Sequence, residues 1–312
     1  MPNPNGSLCI IGDIHGHVQL ALCMAALWQR TLGETFDAVF LCGDVGTFTA
    51  PAQLDSATRR HAKANPCELE FLQQWTADPQ PPWLKPIFSS RAEGGLGLTC
   101  PVVMVHGNHE GFSHLASLVP DTPFPKEPIA VNELPAVDTG SFIRYLPTGW
   151  TCATPSGIVV GGVGGIARGQ RLSDDPEMAY LNEAALLNVM ECAPVDVLIT
   201  HQGPRRVQGR HGAPLLDHLL DPPVADYWFH GHSVAHADIV SCGQGNGTNV
   251  VPLHDVGFSH DPSTKGDPGD EAWAWLRLGT KTELQRTRPD GWRALRQRKW
   301  TAVDEKGLVA PP

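Results

Sequence analysis

The sequence predicts a single α/β domain whose principal strands run parallel and end at one shared edge. Three observations carry this. Continuous apolar runs, Leu8-Cys9-Ile10-Ile11, Ala38-Val39-Phe40-Leu41-Cys42 and Val102-Val103-Met104-Val105, have the length of strands buried on both faces. A helix-period stretch separates the first two, giving a strand–helix–strand opening of the kind that makes parallel neighbours. Each run then leads into a short segment of ligand-type or proton-carrying residues: Gly12-Asp13-Ile14-His15-Gly16, Gly43-Asp44-Val45-Gly46 and Gly107-Asn108-His109-Glu110. Open α/β sheets bind ligands beyond the carboxyl ends of their strands, so these segments converge on one place.

In chain order, the first strand covers about 8–12 and a helix about 17–31. Val18, Leu20, Leu22, Met24, Leu27 and Trp28 are that helix's apolar positions, and Gly33 stands at its C-cap. The second strand covers about 38–43. The long interval before the third contains the breaker-rich Asp78-Pro79-Gln80-Pro81-Pro82 and Gly94-Gly95-Leu96-Gly97, with a helix expected over about 66–76. It reads as an insertion near the site, a substrate-selecting cap, because long loops in compact domains are often functional. After the third strand a polar, proline-rich stretch fills about 120–150. A strand through Gly157-Ile158-Val159-Val160-Gly161, a helix over about 176–192, and strands at about 195–200 and 226–231 follow. Val250-Val251-Pro252-Leu253 reads as an edge strand, where proline is tolerated. Trp273-Ala274-Trp275-Leu276-Arg277-Leu278 alternates as a half-exposed strand does. No repeat and no clean domain boundary is visible.

Hydrophobic content of 41% and charged content of 18% describe an ordinary globular chain, long enough to bury a substantial core. No apolar run approaches the roughly 20 residues that span a bilayer. The start, Met1-Pro2-Asn3-Pro4-Asn5-Gly6-Ser7, lacks a basic segment and a long apolar core, so no signal peptide and a cytoplasmic location are expected. The eight cysteines include no Cys-x-x-Cys pair, which speaks against a thiolate zinc site and for reduced structural thiols. A formal net charge of −10 argues against broad nucleic-acid binding. Locally, however, residues 277–300 hold eight basic and two acidic side chains together with Trp292 and Trp300. This stretch is either a solvated surface element or a contact for RNA or DNA.

Two later runs repeat the opening pattern. Val197-Leu198-Ile199 leads into Thr200-His201-Gln202-Gly203-Pro204, and Tyr227-Trp228-Phe229 leads into His230-Gly231-His232-Ser233-Val234-Ala235-His236. With these, the chain resembles the calcineurin-like metallophosphoesterase superfamily. Asp-x-His, Gly-Asp, Gly-Asn-His-Glu, a strand-end histidine and Gly-His stand in the family's order over roughly residues 8–236. The resemblance implies a four-layer α-β-β-α sandwich with two central mixed β-sheets and a binuclear metal site at the strand C-terminal ends. Residues 1–260 would form the phosphoesterase domain, with the insertion at about 47–100, and 261–312 a basic, Trp-containing extension packed on it.

Carried over by residue, the resemblance implies one divalent ion on Asp13 and His15, a bridging carboxylate from Asp44, and a second ion on Asn108, His201 and His232. Carboxylate, amide oxygen and imidazole suit Mn2+, Fe2+ or Zn2+, and a bridging carboxylate spans ions about 3.5–4 Å apart. Such a centre hydrolyses a phosphate ester by attack of a metal-bridging hydroxide. His109 would stabilise the transition state or protonate the leaving oxygen, while Asn108 would depend on local hydrogen bonds for its orientation.

Two departures from the family pattern stand out. Many members end with Gly-His-x-His, but Val234 occupies the last position and the next histidine is His236. Either His236 reaches the site through a turn or bulge, or water completes the first ion. His230, placed inside the strand, reads as structural. Gly43-Asp44-Val45-Gly46 also lacks the Asp-Arg-Gly continuation of the protein serine/threonine phosphatases, and with it the phosphate-clamping arginine. The glycine-rich run 161–169 reads first as a sharp strand turn, with Arg168 as a candidate substrate-phosphate contact. The expected activity is therefore phosphoesterase with a phosphodiester favoured. Monoesterase or protein-phosphatase-like activity, and a non-catalytic scaffold on the same fold, are the alternatives.

Overall fold

The computed structural model describes residues 5–120, 123–168, 177–232, 238–243, 247–257, 271–287, 302–304 and 307–309. The strands are β1 (Gly6–Ile11), β2 (Ala38–Leu41), β3 (Val102–Met104), β4 (Ile129–Ala130), β5 (Ile143–Tyr145), β6 (Thr151–Ala153), β7 (Val159–Val163), β8 (Val195–Thr200), β9 (Ala225–His230), β10 (Val240–Cys242), β11 (Thr248–Pro252), β12 (Trp273–Leu278) and β13 (Glu283–Thr287). They form a six-stranded sheet of order β13-β12-β1-β2-β3-β5 and a seven-stranded sheet of order β10-β11-β9-β8-β7-β6-β4. A separate two-stranded pair joins β14 (Ala302–Asp304) to β15 (Gly307–Val309). The helices are α1 (Val18–Leu32), α2 (Ser56–His61), α3 (Leu84–Phe88), α4 (Phe112–Leu118) and α5 (Glu183–Cys192), besides shorter turns.

Strand alternation builds the four layers. Cys9 and Ile11 point to the outer face of the first sheet, where they pack with Val18, Leu22 and Met24 of α1. Leu8 and Ile10 point the other way and meet Val160, Val197, Ile199 and Phe229 of the second sheet. Val163, Leu198 and Trp228 then face Leu186 and Val189 of α5 on the far side. The result is the expected α-β-β-α sandwich, with the inner strands of both sheets buried on both faces, which is why their sequences are continuously apolar. The chain's eight cysteines are all unpaired, and no helix among the described residues is long and apolar enough to cross a membrane.

The expected helix near 17–31 is α1, ended by Gly33 in the left-handed region, whose N–H returns to Gln29 and Arg30. Other expectations need correction. The 66–76 helix is a 3-10 turn at Pro66–Leu69 followed by a π turn at Phe71–Trp75, whose wider winding buries both Phe71 and Trp75. The 176–192 helix is a 3-10 turn at Glu177–Ala179 and then α5, which starts where the Asn182 side chain accepts the Ala185 N–H. The polar 120–150 stretch contains β4 and β5. β11 lies inside the second sheet, between β10 and β9; Pro252 is tolerated because β10 pairs only as far as Val250. β12 is buried on both faces, with Trp273 and Trp275 in the outer core and Ala274, Leu276 and Leu278 between the sheets. It pairs antiparallel with β1 over its whole length.

Strand direction positions the site. β1, β2 and β3 are mutually parallel, as are β8, β9 and β11. The carboxyl ends of these six strands are followed by Asp13, Asp44, Asn108, His201, His232 and Asp255.

Candidate metal centre

Two groups of ligand atoms gather at those strand ends, and both include Asp13. One atom each from Asp13, Asp44, His201 and His232 lies within 4.8 Å of the others, and the same holds for Asp13, His15 and Asp255. The groups adjoin, since His15 Nε2 is 3.8 Å from Asp44 Oδ2. Asn108 joins the first through its Oδ1, 3.1 Å from His201 Nε2. The structure thus brings together Asp13, His15, Asp44, Asn108, His201 and His232. His236 lies outside the described residues.

These residues fit a pair of divalent cations. Asp13 is 2% exposed and its Oδ1, 3.3 Å from His201 Nδ1, accepts no well-formed hydrogen bond, an expensive arrangement for a carboxylate unless a cation completes it. His201 Nδ1 lies 2.9 Å from the Cys42 carbonyl, so Nδ1–H donates there and the Nε2 lone pair is left for a metal. His15, Asp44 and His232 adopt positive φ values of 44°, 49° and 48°, sparsely populated for side-chain-bearing residues and typical of strain held at functional sites. Backbone packing is equally close: a Cβ on Gly107 would overlap Asp44 Oδ1, and one on Gly231 would overlap Asp13 Oδ1. The second carboxyl oxygen of Asp13 accepts the His232 N–H at 2.8 Å, and Asp44 Oδ1 accepts the His109 N–H at 2.9 Å.

The electrostatics carry the signature of a cation site. Burial alone would raise the Asp44 carboxyl, but the imidazoles of His201, His109, His15 and His232 hold it well below the usual carboxylate range. Burial would likewise lower His201, yet Asp44 and Asp13 lift it to about 10. The carboxylates thus demand positive charge, which a metal ion would supply in place of that proton. His232 is pushed down to about 4 by burial and by His201, and so presents a neutral imidazole. Burial and the neighbouring Asp13 and Asp44 carboxylates drive Asp255 well above its ordinary range.

His109 stands beside this group and, like His201, is held protonated. Burial opposes its protonation, but Asp44 and the hydrogen bond from its Nδ1 to Asp55 Oδ2, 3.0 Å long, raise it to about 9. Asp55 comes from the 47–100 segment, where it also caps α2 by accepting the Thr58 N–H at 2.7 Å. Glu68, from the same segment, is 5% exposed with an unpartnered Oε1, and its backbone rests against Gly16. Glu70 fastens the segment to α1 by accepting the Gln19 N–H at 2.7 Å. Glu110 ties the loops together: it accepts the Val45 N–H at 2.9 Å and the Thr47 N–H and O–H, each at 2.8 Å.

Asp55, Glu68 and Asp255 were not singled out from the sequence. Asp255 alone had a signal there, because Val250-Val251-Pro252-Leu253 runs into His254-Asp255 just as the three opening runs enter their ligand segments. Arg168 is exposed; its guanidinium pairs with Glu177 at 2.7 Å and lies over the Tyr180 ring at 4.7 Å. His230 closes β9, fully buried. In the basic stretch, Arg277 pairs with Glu34 and Glu283 and Arg286 with Glu271, each at 3.0 Å. Residues 288–300, with Trp292 and Trp300, lie outside the described residues.

Comparison with known proteins gives the family of the chain. One solved structure similar to the chain is TT1561 of Thermus thermophilus, at 14% identity, TM-score 0.45, and coverage of 90% of this chain and 99% of that one. No curated protein matches. The model of the calcineurin-like phosphoesterase family matches residues 6–236, which contain every ligand segment named above except the one carrying Asp255. The chain belongs to the calcineurin-like phosphoesterase family.

Proposed function

We propose that the chain is a metal-dependent phosphoesterase whose preferred substrate is a phosphodiester. The observation that carries this reading is the adjacency of two ligand groups sharing Asp13 to a histidine, His109, held protonated by a carboxylate. Asp13, His15, Asp44, Asn108, His201 and His232 would hold two ions, and their mixed oxygen and nitrogen donors suit Mn2+, Fe2+ or Zn2+. When bound, the ions supply positive charge against the phosphate oxygens and acidify water for in-line attack at phosphorus.

The remaining work falls to side chains. Asp55 occupies Nδ1 of His109, so Nε2–H is the proton this imidazole can give to the leaving oxygen. Asp44 fixes the main chain of His109 through its N–H, and Glu110 fixes the loop that carries Asp44. The 47–100 insertion supplies Asp55 and Glu68 and acts as the wall that selects substrate.

Two features support a diester. No arginine follows Gly43-Asp44, and Arg168 is engaged with Glu177 and Tyr180. A monoester dianion calls for such a bidentate clamp more than a diester monoanion does. The test is hydrolysis of bis(4-nitrophenyl) phosphate and 4-nitrophenyl phosphate by the Mn2+-loaded protein, with Asp44→Ala as control. The reading expects higher kcat/KM on the diester and loss of turnover in Asp44→Ala. A monoester preference refutes the substrate assignment; no turnover of either ester, with metal bound, supports a scaffold instead.

A further inference from the structure

The geometry points to Asp255 as the ligand that completes the first metal site, in the place where the motif of many relatives would put a second histidine. The inference rests on the two-ion reading above and goes beyond it by assigning a residue outside the matched span of 6–236.

The chain's own fold makes this placement. β11 runs parallel to β9, with Pro252 opposite His230, and the Leu253 N–H donates to the His230 carbonyl at 2.8 Å. The segment after β11 therefore leaves the sheet at the same edge as the one carrying His232. It then presses onto the Asp13 loop. The Val256 N–H donates to the Asp13 carbonyl at 2.7 Å, and the His254 carbonyl lies so close to Gly12 that a Cβ there would overlap it. Between those two anchors sits Asp255, with a carboxylate oxygen within 4.8 Å of ligand atoms of both Asp13 and His15.

An acidic cluster alone would not make a metal site. Here the independent sign is Asp13 Oδ1, in a side chain 2% exposed: it faces His201 Nδ1 at 3.3 Å, but that N–H is turned to the Cys42 carbonyl, so the oxygen accepts no well-formed hydrogen bond. Asp13 shares one ligand group with Asp44 and the other with Asp255, and carboxylates that close favour a cation between them, or a proton in its place. Val234, at the family's histidine position, has no donor atom to offer. A carboxylate in its stead makes the first site harder and lowers the net charge of the centre by one. Both changes favour Mn2+ over Zn2+ and a phosphate monoanion over a dianion.

Metal stoichiometry and Mn2+ electron paramagnetic resonance test the assignment without relying on turnover. Wild type should bind two Mn2+ per chain and give an exchange-coupled spectrum. Asp255→Asn should weaken one of the two ions by about 100-fold or more, beyond the 10–100-fold typical of residues that only support a ligand, leaving an uncoupled six-line signal. Asp255→His, which restores a donor but not a charge, should recover both ions and shift preference towards Zn2+; it also serves if the Asn variant folds poorly. His236→Ala should leave both ions in place. Two tightly held ions in Asp255→Asn, or loss of one in His236→Ala, overturns the assignment while leaving the two-ion reading intact. Fewer than two ions in wild type overturns both.

Discussion

Replacing Asp55 by Asn should lower the pKa of His109 by about one unit. The change is conservative in shape, and Asn is as good an N-cap as Asp, so α2 keeps its start. What is lost is the charge facing His109 Nδ1 across 3.0 Å. A hydrogen bond between charged groups contributes about 1.5–3 kcal/mol. The two side chains are 29% and 35% exposed, so solvent screening cuts this towards the surface-pair range; about 1.4 kcal/mol, or one pH unit, remains. The assay is an NMR pH titration of the His109 ring in the metal-free protein. Wild type should titrate near about 9, and Asp55→Asn near about 8. Because the folded value exceeds that of free histidine, about 6.5, the interaction stabilises the fold fully below that pH and is lost as pH rises through about 9. Asp55→Asn should therefore cost more stability at pH 6 than at pH 10. A shift under about 0.3 unit, or an upward one, would refute the argument that Asp55 helps raise the pKa of His109.

Other perturbations test separate parts of the account. His109→Ala should lower kcat by about 10²–10⁴-fold while both ions stay bound, since the side chain moves a proton and holds no metal; loss of metal would contradict that division of roles. Gly231→Ala places a methyl group against Asp13 Oδ1, so metal affinity should fall at least about tenfold with a stability loss of about 1–3 kcal/mol, read by calorimetric metal titration and chemical denaturation. Trp273→Ala, fully buried on a strand inside the six-stranded sheet, next to its edge strand, should destabilise by about 3–5 kcal/mol; a cost under about 1 kcal/mol would place β12 outside the core.

The parts of the molecule legible in the sequence are those where local pattern and tertiary role coincide. Leu8 to Ile11 and Val197 to Ile199 are apolar because both faces of their strands are covered, and the residues following them lie at the site because parallel strands end together. Where pattern and role diverge, the reading failed. β12 alternates in size, tryptophan against alanine and leucine, and this resembles the alternation in polarity of a half-exposed strand. Pro252 suggested an edge, whereas only the end of β10 made it tolerable. Asp55 meets His109 across 54 residues of sequence separation, through an insertion with no regular period, and no spacing rule reaches that far. Asp255 carried a readable signal that was obscured by the same proline.

The most direct test of the central claim is anomalous diffraction from crystals of the protein soaked in Mn2+. Two peaks about 3.5–4 Å apart are expected, one against Asp13, His15 and Asp255 and the other against Asp44, Asn108, His201 and His232. A single peak, or none at these residues with Mn2+ present in excess, would contradict the two-ion centre on which the proposed chemistry depends.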